Sequence, residues 1–229
     1  MIAWTQEEPA IPVEWGKNTK GMQAKELLTA EDASAAERIW LEARDDAIRH
    51  TKRLLELGVH KQIANRVLEP WHDITVIVTA TRYQNWFSLR DHKDAQPEIK
   101  HLAGVMRDLF LASKPNTLRE GEWHLPFIRP GEYTDNTVGD LVKMSVARCA
   151  RVSYKNHDGT TPDKSKDIAL HDSLVVARPL HASPAEHQAT PRIDNLADEL
   201  CGNFRRGWTQ YRKTLPFECA TTFPWEPKA

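Results

Sequence analysis

From Ser34 onward, apolar and small residues recur at helical spacing. Trp40, Ala43, Ala47, His50 and Leu54 fall on one stripe, Ser34 and Glu37 have the spacing of a capping box, and Gly58 closes the segment. The preceding residues 1–33 read as irregular, broken by Pro9, Pro12, Gly16 and Gly21. Lys61 to Leu68 predicts a shorter helix stopped by Pro70. The β-branched run Ile74 to Thr79 predicts a buried strand, and Thr81 to Leu89 a short helix. Asp94 reads as the cap of the next helix, with Pro97 in its first turn and Ile99, Leu102, Ala103, Met106 and Phe110 on one face. Residues 113–136 read as loop or short strand. Val138, Leu141, Val142, Val146 and Cys149 mark a helix running to about Val152. Ile168, His171, Leu174 and Val175 mark another, after a polar stretch at 155–166. Residues 181–199 look irregular, and the tail from residue 200 is basic and aromatic. Helices interrupted by few strands predict an α+β chain, organised as one domain over 1–229.

Composition narrows the function classes. The formal net charge of -1 provides no whole-chain field for nucleic acid or an anionic membrane. Three widely spaced cysteines (Cys149, Cys201, Cys219) without a CxxC argue against a disulfide framework or zinc knuckle and fit a reducing compartment. The opening MIAWTQEEPA lacks the basic and apolar blocks of a signal peptide, and no stretch approaches the length of a membrane span. A cytoplasmic location is therefore expected.

Four segments concentrate candidate chemistry. Arg66 in ANRVLEP and Arg90 at the end of a short helix carry guanidinium groups able to grip a phosphate or a pyrimidine carbonyl edge. Equally, they suit surface ion pairs with Glu69 or Asp91. Asn85 has an amide able to read a heterocycle through donor and acceptor together, or to satisfy backbone. In HASPAEH, five residues separate His181 from His187. This is too many for a zincin helix, no third ligand is evident, and no metal site is assigned. That turn offers backbone N–H groups, the Ser183 hydroxyl and imidazole to a ligand, or else is a polar structural turn. Finally, Gly202 to Lys213 interleaves Phe204, Trp208 and Tyr211 with Arg205, Arg206, Arg212 and Lys213. This composition suits a single-strand nucleic-acid platform, a pocket for one nucleotide, or a solvated basic edge.

Taken together, these segments resemble the flavin-dependent thymidylate synthases of the ThyX type. GVHKQIANRVLEP and NWFSLR…DAQPEIK are similar to two of that family's segments, ARCARVSY to its Ala-Arg-Val-Ser-Tyr helix, and HASPAEH to its His-x-Ser/Thr-Pro-x-Glu-His turn. The order is permuted relative to cellular members, an arrangement similar to viral relatives, so a bacteriophage source is expected. The family's Arg-His-Arg signature has no counterpart here. In permuted relatives a similar segment is expected upstream of the present Met1, which implies a truncated chain, a second polypeptide supplying the motif, or lost activity. The basic tail around Gln210 to Lys213 is a candidate for part of that role.

The resemblance implies an α+β fold with several helices on a small, mainly antiparallel sheet, assembled as a homotetramer with active sites between subunits. It implies transfer of a one-carbon unit from methylenetetrahydrofolate to C5 of dUMP, with FAD supplying hydride, NADPH reducing the flavin, and no cysteine nucleophile. Arg90 matches the arginine that contacts the pyrimidine and favours its ionised form, and Arg66 a nucleotide-binding arginine. Asn85, His181, Ser183 and Glu186 match flavin-contacting positions, and Thr79 stands where the family usually has another asparagine. Alternatives are C5-hydroxymethylation of dCMP for viral DNA modification, and a non-catalytic nucleotide- or flavin-binding subunit. A single-strand nucleic-acid binder ranks last because the chain is neutral.

Overall fold

The computed structural model describes residues 1–21, 24–152, 163–177, 180–192 and 198–219. Its chain divides into two compact units, Met1–Ile74 with Tyr83–Ser113, and Thr75–Arg82 with the residues from Lys114 onward. The described residues form seven α-helices and one two-stranded antiparallel sheet, an α+β composition.

The first unit contains α1 (Ile2–Glu7), α2 (Ala30–Glu56), α3 (Lys61–Ala64), α4 (Gln84–Arg90) and α5 (Pro97–Ala112). Helix α2 begins four residues before the expected Ser34 cap. Thr29 is extended there and its hydroxyl accepts the Asp32 N–H at 3.2 Å, while Glu31 and Asp32 place negative charge at the positive end of the helix. Nothing interrupts the helix between Thr29 and Ser34, so the earlier cap wins. Gly58 ends the segment as expected. Its φ of +79° lets the chain turn back, and Val59 N–H reaches the Leu54 carbonyl at 3.0 Å. The buried face of α2 is carried by Ala47, Ile48 and Thr51, whereas Ala43 and His50 of the expected stripe are exposed.

Ala47 and Ile48 pack with Leu68 and Trp71, and Ile2 and Trp40 flank this cluster. Residues 1–33, expected to be irregular, contain α1 and the start of α2. Trp40 Nε1–H donates to the Ala10 carbonyl at 3.0 Å and so pins the N-terminal segment to α2, while Trp71 Nε1–H donates to the Trp40 carbonyl at 3.1 Å. After α3 the chain tightens into a 3-10 segment, Asn65–Trp71, that contains Pro70 instead of stopping before it. Helix α5 is capped at Gln96 and not at Asp94. Proline at the first helical position needs no N–H partner and already has a helical φ, which starts the helix at Pro97.

The expected strand over Ile74 to Thr79 is absent. Ile74, Val76 and Val78 are 79%, 63% and 61% exposed, and the segment has no regular structure. A β-branched run becomes a strand only beside another strand that takes up its N–H and C=O groups. The one sheet instead pairs β1 (Ala189–Pro191) with β2 (Trp208–Gln210) in the register Ala189–Gln210, Thr190–Thr209, Pro191–Trp208.

The second unit is organised by α6 (Val138–Ala150) and α7 (Lys164–Val176). Thr137 caps α6 through the Asp140 N–H, and Asp163 caps α7 through the Lys166 N–H. Leu141, Val142 and Met144 of α6 form a core with Leu125, flanked by Trp123, Ile128 and Tyr211. The end of α6 is held by charge. Arg148 grips Glu132 with two nitrogens at 2.6 and 2.8 Å and Asp167 at 2.9 Å, and Arg151 closes on the same fully buried Asp167. A carboxylate at that depth is tolerated because two guanidinium groups satisfy it. Ser153 and Tyr154 of the ARCARVSY segment lie outside the described residues.

Candidate functional site

A cavity of about 700 Å³ opens in the second unit. Four local structures bring side chains to it: the last turn of α6 (Cys149), α7 (Leu174), the turn containing His181 and the 3-10 residues Ser183–Glu186, and the 3-10 turn Tyr211–Thr214 (Arg212). Thr75, Val76 and Ile77 complete one wall, so the failed strand serves as cavity lining. His181 and Ser183 are exposed at this surface, and neither side chain is bonded to a described residue.

Arg212 is held from two sides. It forms an ion pair with Glu186, and its Nε–H donates to Glu218 at 2.9 Å, while Lys213 donates to the other oxygen of Glu218 at 2.7 Å. Burial opposes the charge on Arg212, but the bonds to Glu218 and Glu186 outweigh it and its proton affinity is raised. Lys213 and Arg212 together lower the Glu218 pKa against the opposing effect of burial. Thus Glu186 does not line the cavity; it orients the arginine that does.

His187 also lines the cavity, and its Nδ1 lies 2.9 Å from the Thr79 hydroxyl. Burial lowers the His187 pKa, with Glu186 opposing, so the ring favours its neutral form. The Thr79 carbonyl accepts from Asn203 Nδ2 at 2.7 Å. Burial pushes the Cys149 thiol up to about 12 despite hydrogen bonds from its neighbours Gln188 and Ser145. At neutral pH it is therefore a protonated wall group and not a nucleophile.

The structure brings together Thr79, His181, Ser183 and Glu186 of the sequence-derived candidates. Arg66, Asn85 and Arg90 belong to the first unit. Arg66 is exposed and pairs with Glu69 at 3.7 Å, as its ion-pair reading allowed. Asp91 pairs with Arg107 and with neither candidate arginine. Asn85 and Arg90 are exposed on α4, and neither side chain is bonded to a described residue. No hydrogen bond joins Arg66, Asn85 and Arg90.

Sequence reasoning named His187 only as part of the HASPAEH turn and did not place Cys149 at a site. Arg212 stood inside the basic–aromatic tail, whose signal was visible but equally compatible with a nucleic-acid platform. In the fold, Phe204 is buried and stacks near Trp208 at 5.6 Å, and Tyr211 is bonded to His171, so these rings are engaged within the unit. Among the described residues, no group of three or more His, Cys, Asp and Glu side chains could hold a metal ion. No described helix is long and apolar enough to cross a membrane.

Residues 7–116 match the family model described as thymidylate synthase complementing protein, a span that includes Arg66, Thr79, Asn85 and Arg90 and ends before His181. No curated protein and no solved structure matches the chain.

Proposed function

From the match of residues 7–116 to the thymidylate synthase complementing protein family model, we propose that the chain is a ThyX-type enzyme that catalyses flavin-dependent transfer of a one-carbon unit from methylenetetrahydrofolate to C5 of a deoxypyrimidine monophosphate, converting dUMP to dTMP. The family match over the segment that carries Arg66 and Arg90 is the observation on which this rests. The cavity supports the flavin part of the reading. Its volume of about 700 Å³ lies within the range of small-molecule sites. Its walls combine the apolar Ile77 and Leu174 with a hydroxyl, imidazoles and a guanidinium, a donor set suited to a planar heterocycle with a polar edge.

In this reading Ser183 and His181 hold the flavin through their free side chains, Arg212 provides fixed positive charge, and Glu186 keeps that charge aimed. Asn85 is kept, within its own unit, as an amide able to read a heterocycle. Thr79 acts through His187, to which its hydroxyl is bonded. FAD, if bound there and reduced by NADPH, would supply the hydride. Arg66 and Arg90 receive the nucleotide. Arg90 is uncommitted to any described carboxylate, so its charge is available to stabilise negative charge developing on the pyrimidine as C5 becomes nucleophilic. The Cys149 thiol, protonated at working pH, leaves activation of the ring to this electrostatic route.

The exposed apolar residues Leu102, Leu109, Phe110 and Leu111 of α5 support burial in an assembly, read here as a homotetramer. The basic turn around Arg212 supports a chain that supplies part of the missing Arg-His-Arg role itself. A second polypeptide providing that motif is the competing arrangement.

The test is direct. Purified protein is titrated with FAD in the presence of dUMP, and turnover is followed with methylenetetrahydrofolate and NADPH, product mass being read from parallel dUMP and dCMP reactions. FAD uptake and a methylated product from dUMP support the proposal. A hydroxymethylated dCMP product redirects it to viral DNA modification. FAD uptake without turnover leaves a binding subunit, and protein that stays flavin-free overturns the reading.

A further inference from the structure

A line of four side chains runs through the second unit beside the cavity. Lys143 Nζ of α6 lies 2.9 Å from Asp172 Oδ1, His171 Nδ1 of α7 lies 2.8 Å from the same oxygen, and His171 Nε2 lies 2.9 Å from the Tyr211 hydroxyl. Donor chemistry orders it. An ionised carboxylate only accepts, which places a proton on Nδ1. Burial favours the neutral ring, although Asp172 opposes this, so Nε2 is left to accept the Tyr211 O–H. The phenol is thus held at its tip. Its ring packs edge-on against Trp123 at 6.2 Å, and its backbone N–H donates to the Gln188 carbonyl at 2.9 Å. The next residue, in the same 3-10 turn, is Arg212, whose guanidinium reaches the cavity between Glu186 and Glu218.

The geometry points to Tyr211, locked by His171, as the positioning residue for the Arg212 guanidinium at the cavity wall. A turn of four residues has little rigidity of its own. Anchoring one of its side chains by tip, ring and backbone restricts where the neighbouring side chain starts, and the carboxylates then need only set its far end. Lys143 keeps Asp172 ionised, and the hydrogen bond from Lys143 is the largest cause of the lowered Asp172 pKa.

The proposal bears on the flavin reading only through the second of two measurements. First, the Arg212 Nε–H resonance is followed by NMR, assigned with Arg212→Lys, using the Arg148 Nε–H bonded to Asp167 at 2.9 Å as internal control. In Tyr211→Phe, which keeps the ring and removes only the hydroxyl, solvent exchange of the Arg212 Nε–H should quicken about tenfold, the scale of one lost hydrogen bond, with Arg148 unchanged. His171→Leu should reproduce this. His171→Gln, whose amide can donate to Asp172 and accept from Tyr211, should restore slow exchange. Second, FAD affinity should fall about tenfold in Tyr211→Phe and His171→Leu and recover in His171→Gln. An Arg212 signal identical in wild type, Tyr211→Phe and His171→Leu overturns the proposal. Wild-type protein that binds no FAD while its Arg212 signal responds sinks the flavin reading and leaves the positioning role standing.

Discussion

The Thr79 hydroxyl lies 2.9 Å from Nδ1 of His187, a residue 108 positions further along the chain. Through this contact the β-branched run before α4 meets the end of the HASPAEH turn, two segments singled out separately in the sequence. Thr79→Val should remove the bond, cost about 1 kcal/mol of unfolding free energy and loosen His187. Thr79→Ser should retain most of it. Urea denaturation of the three proteins checks this, and equal midpoints for valine and wild type would show the contact to be incidental.

Arg90→Ala should abolish dTMP formation, a loss of at least about a hundredfold if its charge stabilises the reacting ring. Its exposed position predicts a stability change within about 0.5 kcal/mol. Steady-state rates and a thermal melt on the same preparation separate the two effects. Wild-type turnover would remove Arg90 from the site.

Thiol labelling should discriminate between the cysteines. Cys149 touches the cavity but is pushed up to about 12, whereas Cys219 is exposed. Iodoacetamide at mildly alkaline pH should therefore modify Cys219 well before Cys149, as read by peptide mass. Rapid labelling of Cys149 would indicate an activated thiol and reopen nucleophilic catalysis.

The Arg148–Glu132 pair predicts a specific acid response. The side-chain hydrogen bonds from Arg148 pull the Glu132 carboxyl down from its ordinary 4.5 to about 2. A depressed carboxylate pKa means that the unfolded chain takes up the proton first. The stability from this group is therefore complete above about pH 4.5 and is lost as pH falls through about 2. The difference in unfolding free energy between wild type and Glu132→Gln should be flat near neutrality and shrink across that window. A constant difference down to about pH 2 would contradict the assignment.

Helix interiors and the glycine stop at Gly58 were the legible part of the fold, whereas the starts of α2 and α5 were not. Gly58 stops α2 through bonds within one turn, so the residues concerned lie side by side in the sequence. The Thr137 cap of α6 is equally local but was not singled out. The choice between Thr29 and Ser34 was less legible, because both are good caps and only the structure shows the helix taking the first. In the candidate site, His181 and Ser183 were readable from their turn. Arg212 was visible only as one cation in a basic–aromatic tail.

What the chain order alone determined is local: which residues cap, which repeat at helical spacing, and which short segments resemble a known family. Tertiary structure decided the rest. It did not make Ile74 to Thr79 a strand and placed part of that run in a cavity wall. It also placed Arg212 and Ser183 in the lining of one cavity and desolvated Cys149 into an inert thiol. The physical reason is range. A cap or helical stripe is settled by atoms a few residues apart, whereas strand pairing, burial and charge alignment depend on segments that meet only when the chain has folded.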